Sequence, residues 1–328
     1  MKLVVIGSDG CLASGFVGLL DILWLAGRAI NNDASGKKHF HVIAASIDGK
    51  PVVDGHGRRL DVDRALKSIA TCDAIFIPGY VPDADGRPPD LTALAPVAAW
   101  IRRQHARGTL VYASCSGVFL AGQAGLLDGR RCTTTWWLHD EMKLRFPRAD
   151  AAWASALVED RRVVTAGGPL SWIDLALHAV RKLYGADLAR IAADFAVVDT
   201  APSSQAIYIP AGHLAAANPF LMDAERIVRM AGRTPLNARD LAERLSTSER
   251  TLHRRLQQIS GESPKNFIDR IRFETAKILL ETGAESLKQV AANAGYSDDA
   301  SFRRMFKRLS GMTPGAYRNW FRARREYS

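Results

Sequence analysis

The last hundred or so residues repeat themselves, and that repeat restricts the fold more than any other feature of the chain. Leu252, Leu256 and Ile259 recur as Phe302, Phe306 and Leu309, each 50 positions on. Arg254 recurs as Arg304, Ser260-Gly261 as Ser310-Gly311, and Pro264 as Pro314. Upstream, Leu241-Ala242 recurs as Val290-Ala291 at a shift of 49. The extra residue therefore falls in a turn, where an insertion is easiest to absorb. Each copy reads as helix, short turn, helix.

The helix starts are marked by capping chemistry. In the first copy Asn237 caps a helix with Asp240 in its first turn, and Ser248 caps the next. In the second copy Ser286 precedes Gln289 by three residues, a capping-box pattern. Gly295 supplies a left-handed turn residue, and Ser297 or Asp298 starts the following helix. On the second helix of each copy the apolar positions recur at +4 and +3, so one stripe packs inward. The opposite face carries Arg250, Thr251, His253, Arg254 and Gln257 in one copy, and Asp299, Ser301, Arg303, Arg304 and Lys307 in the other. Arginine reads a guanine edge with two hydrogen bonds, and its neighbours anchor phosphates in a major groove. His253 equally fits a plain solvated surface, and Arg255 and Arg308 fit phosphates better than bases. A long helix from Pro264 to about Glu281 joins the copies, with Phe267, Ile271 and Ile278 expected on one buried face. A helix of about 18 residues spans about 27 Å, close to the ~34 Å between successive major-groove segments.

Charge agrees with a polyanionic partner. The chain carries a formal net charge of +10 over 328 residues. Leu221–Ser328 holds 21 Lys and Arg against 13 Asp and Glu, a balance of +8, which leaves +2 for the rest. A helix-turn-helix pair with Arg on both outward faces is expected to bind double-stranded DNA. This stretch resembles the AraC/XylS family of transcription regulators. The resemblance is carried by Leu241-Ala242, Ser248-x-Arg250-Thr251-Leu252-x-Arg254-Arg255-Leu256 and Gly261-Glu262-Ser263-Pro264. It continues in Gly295-Tyr296-Ser297, Ser301-Phe302-Arg303-Arg304-Met305-Phe306-Lys307, Gly311-Met312-Thr313-Pro314 and Tyr317-Arg318. It covers about residues 232–322. One departure is Ser246, where the family usually has Gly in the first turn.

The first two hundred residues have a different texture. Leu3–Ile6, Phe40–Ile47, Ala74–Ile77 and Leu110–Ala113 read as buried strands. Phe16–Ile30 and Leu91–Ala106 read as helices between them. This alternation predicts a parallel sheet covered on both faces. Val52–Val62 reads as a hairpin insertion, Arg162–Thr165 as a late strand, and Ser171–Tyr184 as a helix ending at Gly185. Turn-rich segments at Thr200–Gln205 and Pro210–Pro219 suggest a first domain at 1–199, a linker and linker helix at 200–231, and the DNA-binding domain at 232–328.

Within the first domain, Leu110-Val111-Tyr112-Ala113-Ser114-Cys115-Ser116-Gly117 reads as strand, sharp turn, helix, the geometry of a nucleophile elbow. Here the chain resembles the class I glutamine amidotransferase-like superfamily in its PfpI-like branch. More narrowly it is similar to GlxA-type regulators, which fuse that domain to an AraC-type tail. Asp21-Ile22-Leu23, Cys72-Asp73-Ala74-Ile75-Phe76-Ile77-Pro78-Gly79, Thr133-Thr134, and Thr165-Ala166-Gly167-Gly168 with Ile173-Asp174-Leu175-Ala176-Leu177 also carry the resemblance, over about residues 1–195. The implied fold class is an α/β flavodoxin-like parallel-sheet sandwich plus an all-α C-terminal domain with two helix-turn-helix units. The resemblance implies an acidic residue at Asp21 near the cysteine, and dimerisation.

Cysteine hydrolysis needs a base within reach of the thiol. The enzymatic relatives place His just after the Thr-Thr pair, where this chain has Thr135; His139 lies four residues on. The favoured expectation is therefore a non-catalytic pocket around Asp21, Cys115, Ser116, Thr135 and Trp136 that takes a small effector at the strand ends. Cys115 also fits a small buried residue kept by the fold, and Trp136 with Trp137 fits either a pocket wall or core. The alternatives are a cysteine-dependent hydrolase or hydratase with a regulatory DNA-binding tail, and an architectural DNA binder without ligand. The cysteines Cys11, Cys72, Cys115 and Cys132 form no C-x-x-C pair, so no metal and no cofactor are expected. No apolar run reaches the ~18 residues of a membrane helix. A cytoplasmic homodimer is expected, with operator DNA as partner and RNA polymerase as a further candidate.

Overall fold

The computed structural model describes residues 1–31, 41–83, 85–198, 204–213 and 218–326. The chain divides into two compact units, Met1–Pro202 and Ser203–Ser328.

The first unit opens with β1 (Lys2–Ile6), α1 (Ala13–Asn31) and β2 (His41–Ser46). Next come the two-residue strands β3 (Val52–Val53) and β4 (Arg59–Leu60), β5 (Arg64–Ala65), β6 (Ala74–Ile77) and α2 (Ala95–Ala106). After β7 (Leu110–Ser114) and α3 (Gly117–Gln123), β8 (Arg131–Cys132), α4 (His139–Arg145) and β9 (Asp150–Ala151) lead to β10 (Leu157–Asp160) and β11 (Val163–Ala166). The helices α5 (Trp172–Tyr184) and α6 (Ala186–Ala196) close the unit. The main sheet runs β10-β11-β7-β6-β1-β2-β5. Its pairs are parallel, with Val4 opposite Ile43 on one side and Ile75 on the other, except for the antiparallel edge strand β10. Leu3, Val4, Val5 and Ile6 are all fully buried, as are Ala74–Ile77. Burial of consecutive residues means that both faces of the sheet are covered, and each such aliphatic side chain contributes about 1.5–3 kcal/mol. The helices α1, α5 and α6 pack on one another, and α2 packs on α3. This is the flavodoxin-like arrangement expected, and the Val52–Val62 insertion forms the antiparallel pair β3–β4.

The second unit is helical: α7 (Pro219–Ala231), α8 (Ala238–Arg244), α9 (Glu249–Ser260), α10 (Pro264–Thr282), α11 (Leu287–Asn293), α12 (Asp299–Ser310) and α13 (Pro314–Glu326). Its apolar residues form two clusters. Leu221, Ala224 and Val228 of α7 pack with Leu241, Leu252, Leu256, Phe267 and Ile271. Phe273, Ala276 and Leu280 pack with Val290, Phe302, Phe306, Tyr317 and Ile207. Two expectations change here. The helix placed in a linker, α7, is part of the first cluster's core. Ile278, expected on the buried face of α10, is 43% exposed. The reason is that α10 serves two cores on different sides, so its buried stripe moves to Phe273, Ala276 and Leu280 after Ile271.

The stretch preceding α7 is also held by the second unit. Lys277 Nζ donates to the carbonyls of Ala206, Ile207 and Ile209 at 3.0–3.2 Å. The backbone N–H of Gly212 donates to Glu274. Burial lowers the Lys277 pKa from its ordinary value, partly opposed by Glu281 and Glu274. Among the described residues no helix is long and apolar enough to cross a membrane.

Candidate functional site

The first helix-turn-helix is α8 and α9. Asn237 Oδ1 accepts from the N–H groups of Arg239 and Asp240, and the Asp240 carboxylate accepts in return from Asn237 N–H, a complete capping box. Ser246 turns the chain with φ +52°, a left-handed conformation that costs a non-glycine residue about 1–2 kcal/mol. Ser248 Oγ accepts from Thr251 N at 3.2 Å and donates to Thr251 Oγ1 at 3.0 Å. Leu252 and Leu256 are fully buried, so α9 is pinned by one face. Arg250, His253, Arg254 and Gln257 are exposed on the other, while Thr251 is half-buried with its hydroxyl in the cap. Among the described residues Arg250, His253 and Arg254 form no ion pair.

The second helix-turn-helix is α11 and α12. Ser286 and Gln289 form the second capping box. Gly295 takes φ +85° at the turn, and Asp298, rather than Ser297, caps α12 by accepting from Ala300 N and Ser301 N. Those bonds hold the Asp298 carboxyl below its usual pKa, with the Ser301 side chain and backbone the largest causes. Phe302 and Phe306 are fully buried. Arg303, Arg304 and Lys307 are exposed, and Asp299 and Ser301 half-buried. Unlike Arg250 and Arg254, these are partnered: Arg303 pairs with Asp299 at 2.8 Å, and Arg304 donates to Ser301 Oγ at 2.8 Å with Asp298 at 3.9 Å.

The two arginines expected at phosphates are engaged elsewhere. Arg255 lies 5.2 Å over the Phe220 ring of α7. Arg308 donates to Asp269 of α10 at 2.6 Å. Sequence reasoning missed these partners because they sit 35 and 39 residues away.

In the first unit the elbow forms as expected. Cys115 follows β7 with φ +54°, its N–H donating to Ala166 O at 2.8 Å. Thr134 Oγ1 donates to Cys115 O at 2.8 Å. Ser116 Oγ is bracketed by Tyr80, accepting from its N–H at 2.7 Å and donating to its carbonyl at 2.9 Å. A Cβ at Gly117 would lie 2.3 Å from Pro78 O, so only glycine lets the helix start this close to the neighbouring strand end. Burial pushes the Cys115 thiol up to about 11. Such a thiol is protonated near neutrality, the opposite of the thiolate that nucleophilic chemistry uses.

The structure brings Cys115, Ser116 and the Thr134–Thr135 segment together, and Thr135 is fully buried. It does not bring Asp21 to them. Asp21 is exposed on the outer stripe of α1, in line with Val17, Trp24 and Arg28. From this part of the chain Leu12 comes close to the elbow: a Cβ at Gly79 would lie 3.1 Å from Cys115 Cβ and 3.2 Å from Leu12 Cδ1. The helical period explains the difference, because Asp21 starts about two turns after the end of α1 nearest the elbow. Trp136 is half-buried and meets Trp137 edge-on at 5.2 Å. The His139 ring packs edge-on against Trp153 at 4.9 Å. No group of three or more His, Cys, Asp or Glu fit to hold a metal occurs among the described residues.

A flavodoxin-like unit with a cysteine elbow, followed by paired helix-turn-helix modules, defines the class. Residues 19–182 match the DJ-1/PfpI family and residues 241–319 match a helix-turn-helix domain. The chain belongs to the DJ-1/PfpI family and carries an AraC-type helix-turn-helix domain after it. It is 26% identical over 314 residues to the HTH-type transcriptional regulator CdhR of Pseudomonas aeruginosa, covering 93% of this chain and 88% of that one. It is also similar to the isonitrile hydratase of Pseudomonas putida, 32% identical over 143 residues, which is 43% of this chain and 58% of the hydratase. The crystal structure of an AraC family transcriptional regulator from Pseudomonas putida shares the fold of 60% of this chain with a TM-score of 0.50 at 21% identity, covering 98% of that structure.

Proposed function

We propose that the protein is a sequence-specific DNA-binding transcription regulator whose second unit inserts α9 and α12 into adjacent major-groove segments of one duplex. The observation that carries the reading is the matched pair of capped helices, each pinned by a buried stripe and each presenting arginines outward: Arg250 and Arg254, then Arg303 and Arg304. His253, Gln257, Ser301 and Lys307 border those arginines and contribute base or phosphate contacts, with Thr251 and Asp299 at the helix starts. The test is binding of the full chain to a duplex enriched from a random-sequence pool, at increasing salt and against competitor DNA. Affinity falls steeply with salt for any phosphate-gripping protein. Retained preference for the enriched duplex separates a regulator from an architectural binder. Binding without such preference contradicts the proposal.

The first unit serves as a non-catalytic sensor and dimerisation module, working in the cytoplasm where the operator is found. Its elbow, with Cys115, Ser116, Thr135 and Trp136, is the proposed effector site; Asp21, exposed on the outer stripe of α1, is left out of it. RNA polymerase is a partner if the regulator activates. A hydratase or hydrolase reading needs a base beside the thiol, where Thr135 stands. Alkylation of Cys115 separates the two readings. A structural thiol whose pKa burial raises to about 11 reacts slowly at pH 8 and gains rate steadily with each pH unit up to that value, whereas a catalytic thiolate reacts at pH 7. Rapid modification at neutral pH would favour the enzyme.

A further inference from the structure

The two apolar clusters of the second unit do not merge, and α10 is the element common to both. Long helices bend, so α10 alone would let the two readers swing relative to each other. A polar bridge crosses the space between them beside α10. Arg233, in the turn entering the first reader, donates Nε to Asn293 Oδ1 at the end of α11 at 2.7 Å. Asn293 Nδ2 is fixed in turn by Glu285 at 2.9 Å. Arg272 of α10 donates to Leu236 O on the first reader's side at 3.2 Å, while its guanidinium lies 5.2 Å over the Tyr296 ring on the second's. Tyr296 OH donates to Asp269 of α10 at 2.8 Å. The backbones are also seated together, since a Cβ at Gly295 would lie 3.0 Å from Gly232 O and 2.9 Å from Arg272 Nε.

We propose that the bridge formed by Arg233, Asn293 and Arg272 is a positioning device that fixes the spacing and rotation of the two DNA-reading helices, and so sets the separation of the two sub-sites the protein accepts. None of the three needs to touch DNA. The inference rests on the DNA-binding reading above. A rigid link raises the effective concentration of the second contact only for duplexes of matching geometry, so loosening it weakens binding to the matched duplex and blunts the penalty on a mismatched one.

The experiment uses the full chain and the duplex that the wild-type protein enriches from a random pool. A second duplex carries one added base pair between the two protected segments, which turns the second segment by about 34°. A third carries the first segment alone. The wild type is expected to bind the lengthened duplex at least about tenfold more weakly than the parent. For Arg233→Ala with Arg272→Ala the difference shrinks to about twofold, with weaker binding to the parent and unchanged binding to the single segment. Arg233→Lys alone, which keeps a donor, retains most of the discrimination. A double variant that keeps the full penalty, a wild type indifferent to the insertion, or an equal loss on the single segment overturns the bridge. A wild type that enriches no duplex at all sinks the regulator reading instead.

Discussion

The two helix-turn-helix units are copies of one plan executed with different chemistry. The first turns on Ser246 and bares Arg250 and Arg254, which form no ion pair among the described residues; the second turns on Gly295 and holds Arg303 and Arg304 against Asp298, Asp299 and Ser301. The first core is mainly aliphatic around Leu252 and Leu256, with Phe267 its one fully buried ring among the described residues, whereas the second packs Phe302, Phe306, Phe273 and Tyr317 in tilted and edge-on contacts. The difference teaches a division of labour. A free arginine supplies charge and adapts to the groove, while a carboxylate-held arginine is oriented before it meets a base and loses less side-chain entropy on binding.

The comparison is open to breaking, beginning with the cores. Phe302→Ala is expected to cost about 3–5 kcal/mol of stability, and the equivalent Leu252→Ala about 2–5 kcal/mol. Urea unfolding of the full chain measures both, and a smaller loss at Phe302 than at Leu252 would contradict the picture of a stiffer second core. On the reading faces, Arg254→Ala and Arg304→Ala should each weaken binding to the enriched duplex by about 1–3 kcal/mol. Asp299→Ala, which frees Arg303, is expected to relax base preference in the second segment more than it changes affinity. Competition between single-base variants of that segment reads this directly.

The turns give the smallest effects and opposite signs. Gly295→Ala should destabilise by about 1–2 kcal/mol, because φ +85° suits glycine and Gly232 O crowds the site. Ser246→Gly relieves left-handed strain but loosens the unfolded chain, leaving a net gain of about 1 kcal/mol or less. Thermal melts that showed the same sign for both changes would erase the distinction between the turns.

Much of this was legible in the sequence because it is local. Caps such as Asn237, Ser248 and Ser286 act within three residues, and the buried stripes follow the helical period. The strands of the central sheet announced themselves as continuous Val and Ile runs. What escaped was what distance decides. The edge strand β10 (Leu157–Asp160) is half-exposed and lacks a run of buried positions. Nothing in the spacing of Glu262, Arg270 and Glu274 marks them as partners, yet they are buried together as an ion network. Arg308 looked like a phosphate contact until Asp269, 39 residues earlier, claimed it. At the elbow, Cys115 and Ser116 were placed by a motif with its own backbone geometry, and the Thr134–Thr135 segment by resemblance. Asp21 was placed by resemblance alone, and the helix turns it outward.

Hydroxyl-radical footprinting of the wild-type chain on its enriched duplex tests the central claim most directly. The account predicts two protected stretches centred about 10 base pairs apart on the same face of the helix, one lost in Arg254→Ala and the other in Arg304→Ala. A single stretch, or two that respond together to either substitution, would contradict it.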